Sequence, residues 1–184
     1  MNNKVISNKD ISNKIRKMIY ISLLVAMSLV LHIFEGMIPV PFITPGAKLG
    51  LANVITVIAL YTLSYNEAFL VLFLRILLSV MFGGSISRLI YSLSGGILSF
   101  IFMIFIKKIG KDKISIVGVS CVGAVFHNMG QLIAASLIVK TIGVMLYLPI
   151  MSIAGIGTGV FVGITGNFAV LHLKKIFGAN GQWI

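Results

Sequence analysis

The chain has 184 residues, 58% of them hydrophobic and 10% charged, with 15 Lys and Arg against four Asp and Glu for a net charge of +11. Soluble domains average about 45–50% apolar and about 25% charged. One of this length buries only about two-thirds of its surface, which excludes an ordinary cytosolic enzyme.

Residues 1–17 form a polar, basic N-terminal segment rich in Asn, Lys and Ser. Six apolar blocks follow, at about 18–34, 47–63, 68–82, 89–106, 114–139 and 146–173, each near the length that crosses a hydrocarbon core of about 30 Å. Their continuous apolar character, without period-two alternation, requires helices rather than barrel strands. The expected architecture is therefore all-α, a polytopic membrane protein with a bundle of six transmembrane helices over residues 18–175 and a short tail, 176–184. The first block follows basic residues as a signal peptide does. It is longer, however, and continues into Glu35-Gly36-Met37-Ile38-Pro39 without a small-x-small cleavage site, so it is expected to remain as a span. The sixth block is long enough to tilt or to break near Pro149.

Orientation follows from the cations. With the N-terminus cytoplasmic, Lys4, Lys9, Lys14, Arg16, Lys17, Lys107, Lys108, Lys111, Lys113, Lys174 and Lys175 share one side, and Lys48, Arg88 and Lys140 the other. Arg75 falls inside the third block. Eleven against three is a strong positive-inside bias and expects both termini in the cytoplasm. Cations placed between apolar blocks set topology, so the basic charge does not point to nucleic acid.

Ionisable groups at membrane depth cost about 2.5–3.5 kcal/mol each on insertion scales and usually face a cavity or a partner. Glu35 closes the first span on the outer side, Lys48 and Asn53 open the second, and Arg88 opens the fourth. Arg75 sits near the middle of the third span. On the fifth, His127 and Gln131 share one helical face at i+4, with Asn128 beside them. Lys48 and Arg88 also suit snorkelling to headgroups, and His127, Asn128 and Gln131 suit hydrogen bonding between helices. Convergence of these groups in one leaflet favours an outward-facing cavity, and cations outnumbering the lone Glu35 point to an anionic or polar ligand. Gly155, Gly159 and Gly163 form a stripe on the last span that allows close helix packing, and Ser22 and Ala26 make a shorter small-xxx-small step on the first.

No enzyme constellation is visible. Asp10 and Asp112 are isolated, with no Asp-rich diphosphate motif, no HExxH, no Gly-x-Ser-x-Gly and no P-loop. His32, His127 and His172 lie on different spans without carboxylate or cysteine company, so no metal is expected, and no cofactor. The single cysteine, Cys121, allows no internal disulfide.

The string Pro45-Gly46-Ala47-Lys48-Leu49-Gly50-Leu51-Ala52-Asn53 resembles a bacterial family, the Gx transporter family proteins, many of them called heptaprenyl diphosphate synthase component I. The likeness continues through Arg75, Gly83-Gly84 and His127-Asn128-Met129-Gly130-Gln131, over about residues 15–175. That family is similar to the substrate-binding S components of energy-coupling-factor (ECF) transporters. The resemblance implies six helices, a pocket near the outer face of a bacterial cell membrane, and docking on a transmembrane coupling subunit that carries two cytosolic ABC ATPases. It further implies that small residues of the first helix meet the coupling subunit; Ser22 and Ala26 match an Ala-xxx-Ala pattern with Ser in the first place. The leading expectation is the substrate-binding subunit of an ECF-like importer. A non-catalytic accessory subunit of heptaprenyl diphosphate synthesis is the rival, and a stand-alone carrier the third.

Overall fold

The computed structural model describes residues 8–37, 50–82 and 86–179, and no strand occurs among them. Six α-helices follow one another: α1 (Asn8–Met37), α2 (Leu51–Thr62), α3 (Tyr65–Met81), α4 (Ile86–Gly110), α5 (Ile116–Val139) and α6 (Leu148–Ala179). Short 3-10 helices at Lys111–Lys113 and Ile142–Tyr147 precede α5 and α6.

Local chemistry sets these boundaries. α1 begins well before the first apolar block, so part of the basic N-terminal segment is helical. Ile11 and Ile15 extend an apolar spacing of four toward Ile19, which carries the helix outward past the block. Gly50, at φ 74, stands at the N-terminus of α2 in a left-handed conformation that side chains disfavour, so the helix begins at Leu51 rather than at residue 47. Between α2 and α3 the chain extends at Leu63 and Ser64, and Ser64 and Glu67 form a capping box that starts α3 at Tyr65. The Ser115 hydroxyl accepts from Gly118 N–H at 3.2 Å and starts α5. Pro149 is the second residue of α6, in the first turn, where its missing N–H leaves no helical bond unmade.

Among the described residues, four helical stretches are long and apolar enough to cross a membrane: Ile11–Glu35, Ile86–Gly110, Ile116–Val139 and Ile142–Ile176. The chain is a membrane protein. Both α2 and α3 depart from their expected blocks, 47–63 and 68–82: Gly50 delays the start of α2 to Leu51, and the Ser64–Glu67 capping box starts α3 early, at Tyr65. At 12 and 17 residues they are about 18 and 25 Å long, short of a full hydrocarbon core. α2 is the internal element: nine of its residues are buried, Ala59 and Leu60 completely. It packs against α1, α3 and α6, while α3 meets α4, α4 meets α5 and α5 meets α6. The outward faces carry Leu23, Met27 and Phe34 of α1, Ile101 and Phe105 of α4, and Ile153, Phe161 and Phe168 of α6, an apolar surface suited to lipid.

The last three helices approach through glycine. A Cβ at Gly159 would lie 2.7 Å from Cys121 Cα, one at Gly163 2.6 Å from Val117 Cα, and one at Gly155 2.7 Å from Asn128 Nδ2. The glycine stripe of α6 therefore faces α5, inside the bundle. Ser22 and Ala26 are exposed on the outer face of α1.

Antiparallel helices give the bundle two unlike ends. One gathers the start of α1, the α2–α3 turn, the end of α4 and the end of α6, and with them most of the described lysines. There Lys17 Nζ is 3.0 Å from Glu67 Oε1, and Lys107 Nζ donates to Leu60 O at 2.6 Å. The other end gathers the end of α1, the starts of α2, α4 and α6, and the ends of α3 and α5.

Candidate functional site

At this second end a cavity of about 830 Å³ opens among all six helices. His32 and Glu35 reach it from α1, Asn53 from α2, Arg75 and Ser79 from α3, Arg88 and Tyr91 from α4, and His127, Asn128 and Gln131 from α5. Val144 and Tyr147 of the 3-10 helix Ile142–Tyr147 and Met151 and Thr158 of α6 complete the wall. Its size lies within the range of small-molecule sites, roughly 300–1,000 Å³.

The electrostatic centre is Arg75, 7% exposed. Its Nη2 donates to Asn53 Oδ1 at 3.2 Å, which ties α3 to the first turn of α2. Its Nε is buried without a hydrogen-bond partner among the described residues. A guanidinium offers five N–H donors in a planar fork and stays protonated, so one held by a neutral amide and left with an unused donor is arranged to take an oxoanion. Glu35, 4% exposed, accepts from Gly50 N–H and lies within electrostatic range of Arg75. The acid thereby fixes the entry to α2, and a side chain at Gly50 would crowd Asn53 Nδ2 at 3.2 Å as well as straining the left-handed backbone.

On the far wall, His127 and Gln131 owe their place to two glycines. A Cβ at Gly95 would stand 2.8 Å from His127 O and 2.9 Å from Gln131 Cγ, and one at Gly130 would stand 2.6 Å from Ser94 O. Only bare backbone at both positions lets α4 and α5 cross this closely. Asn128 has a holding role, with Nδ2 donating to Met151 O of α6 at 2.6 Å.

Six of the sequence-derived candidates, Glu35, Asn53, Arg75, Arg88, His127 and Gln131, thus line one cavity. Lys48 lies outside the described residues, as does the Gly83-Gly84 pair. Sequence reasoning passed over His32, Ser79, Tyr91 and Tyr147 as lining residues. His32 precedes Glu35 by three and Tyr91 follows Arg88 by three, the spacing of one helical face, and that was the available signal. Among the described residues no group of three His, Cys, Asp or Glu is placed to hold a metal ion.

Comparison with curated proteins gives no match, and comparison with solved structures gives none either. A family model described as heptaprenyl diphosphate synthase component I matches residues 24–169, most of the chain and every described helix that lines the cavity, and the chain belongs to that family.

Proposed function

We propose that the chain is a non-catalytic membrane subunit linked to heptaprenyl diphosphate synthesis, which holds an anionic, phosphorylated ligand in the cavity at its second end. One observation carries the ligand class: the buried Arg75 guanidinium with its Nε unpartnered among the described residues, in a wall that also holds Arg88, His127 and Gln131. The family description supports the link to prenyl diphosphate chemistry. The chain has only two Asp, Asp10 in α1 and Asp112 in the 3-10 helix between α4 and α5, and neither is among the described residues that line the cavity, so catalysis would belong to another subunit. In this reading Arg75 and Arg88 bind the charge, Asn53 orients Arg75, and His127 and Gln131 complete the polar wall.

A second reading, the substrate-binding subunit of an ECF-like importer, draws on two observations. The cavity lies at the end opposite most described cations, which the positive-inside rule turns outward in a bacterial plasma membrane with both termini cytoplasmic. Ser22 and Ala26 are exposed on α1, available to a coupling subunit with two ABC ATPases. Purification from a native membrane separates the readings: a co-isolated soluble prenyltransferase supports the first, co-isolated ABC ATPases the second, and neither of them a stand-alone carrier. Direct binding of inorganic pyrophosphate and a short prenyl diphosphate to the detergent-purified chain tests the ligand class; absence of binding to both overturns it.

A further inference from the structure

Beneath the large cavity lies a second space of about 30 Å³, and the two share Asn53 and His127. Its deeper wall includes Thr56 of α2, Ser99 of α4 and Ser120 of α5, all displaced along their helices toward the cation-rich end. The three are 3%, 8% and 3% exposed. Space for it comes partly from Gly123, where a Cβ would lie 3.1 Å from Ser99 Oγ and 2.7 Å from Met103.

Thr56 is the anomaly. A helical threonine commonly returns its hydroxyl to the carbonyl four residues back, as Thr62 does with Ile58 O at 2.8 Å. Thr56 Oγ1 is buried with no hydrogen-bond partner among the described residues. A buried hydroxyl with no partner destabilises a fold, and valine fills nearly the same volume without that cost. A polar space needs only roughly 10–15 Å³ and two to four polar partners to hold a water. A cation is the poorer occupant, because no carboxylate is among the lining residues and the Arg75 guanidinium stands in the adjoining cavity.

We propose that this chamber is an ordered-water site, in which water bonds the Thr56 hydroxyl and links it to Ser99, Ser120 and the Asn53–His127 floor of the cavity above. The site extends the polar wall of the cavity toward the middle of the bundle, and its test reads stability, independently of any ligand.

Thermal unfolding of the full chain in detergent compares Thr56→Val, Ser120→Ala and the double variant. A bridging water predicts that each single change lowers Tm by about 2–5 °C. The double variant then loses less than the sum, because one water serves both hydroxyls. A Tm that is unchanged or raised in Thr56→Val overturns the proposal, since deleting a truly orphaned hydroxyl relieves its burial cost. Should Thr56→Val fail to fold, an experimental density map of the unaltered chain decides: a peak within hydrogen-bond distance of Thr56 Oγ1 supports the site, and its absence overturns it.

Discussion

Lys107 and Arg75 are both cations brought into an apolar bundle, one at each end, and their surroundings differ in kind. Lys107 is answered within the chain: its Nζ caps the C-terminus of α2 at Leu60 O and lies 4.4 Å from the Tyr61 ring centroid and 5.3 Å from that of Tyr65. Around it, Lys17 pairs with Glu67, and Tyr20 donates to Thr62 at 3.0 Å while Thr62 donates to Ile58 O. Among the described residues Arg75 is answered only in part, by a hydrogen bond to the Asn53 amide and by the nearby charge of Glu35, with its Nε unpartnered. Polar groups at the first end close the fold, whereas those at the second surround a space large enough for a small molecule. Residue type alone does not separate the two roles; completeness of pairing does.

The sharpest way to break this comparison is to exchange the fates of the two cations. Arg75→Ala is expected to weaken pyrophosphate binding more than tenfold, since removing one partner of a buried charge-assisted contact costs about 2–5 kcal/mol. Titration calorimetry at matched thermal stability measures it, and undiminished binding would return Arg75 to a helix-pairing role. Lys107→Met should do the opposite, lowering stability by about 1–2 kcal/mol through the lost α2 cap and ring contacts while leaving pyrophosphate affinity unchanged. Tyr20→Phe removes the buried hydrogen bond to Thr62 and is expected to cost about 1 kcal/mol in denaturant unfolding, again without an effect on binding.

The smallest effect is a pH dependence at the closed end. Burial raises the Glu67 carboxyl, but the hydrogen bonds from Ser64 and Lys17 outweigh it and hold the pKa below the ordinary 4.5. A depressed folded-state value contributes stability that is fully present above the unfolded pKa and is lost as the pH falls through the folded one. Because the pair is partly exposed, the loss should be slight. Comparing Tm against pH for the unaltered chain and Glu67→Gln checks it: the two curves should converge as the pH falls below the ordinary carboxylate range, and a constant separation would assign Glu67 no linked proton.

The membrane character, the helical class and six of the residues that line the large cavity were legible in the sequence, because the cost of placing a charge or amide in hydrocarbon makes Glu35, Asn53, Arg75, Arg88, His127 and Gln131 conspicuous without any fold. Hydropathy was less informative about the helices themselves. Apolar blocks placed the bounds of α2 and α3 only loosely, because hydropathy does not register the left-handed Gly50 that delays α2 to Leu51 or the Ser64–Glu67 capping box that starts α3 early, at Tyr65. It also missed the amphipathic start of α1, where Ile11 and Ile15 continue a helix through polar sequence.

Composition and periodicity thus determined the solvent this chain requires and which side chains it cannot leave in lipid, since both are transfer free energies of individual residues. Tertiary structure alone decided which polar groups meet. Asn53 reaches Arg75 across 22 positions of sequence and Lys107 reaches Leu60 across 47, and Gly95 and Gly130 let α4 and α5 close on His127. Hydrogen bonding is a property of pairs at a distance and an angle, and no single position carries it.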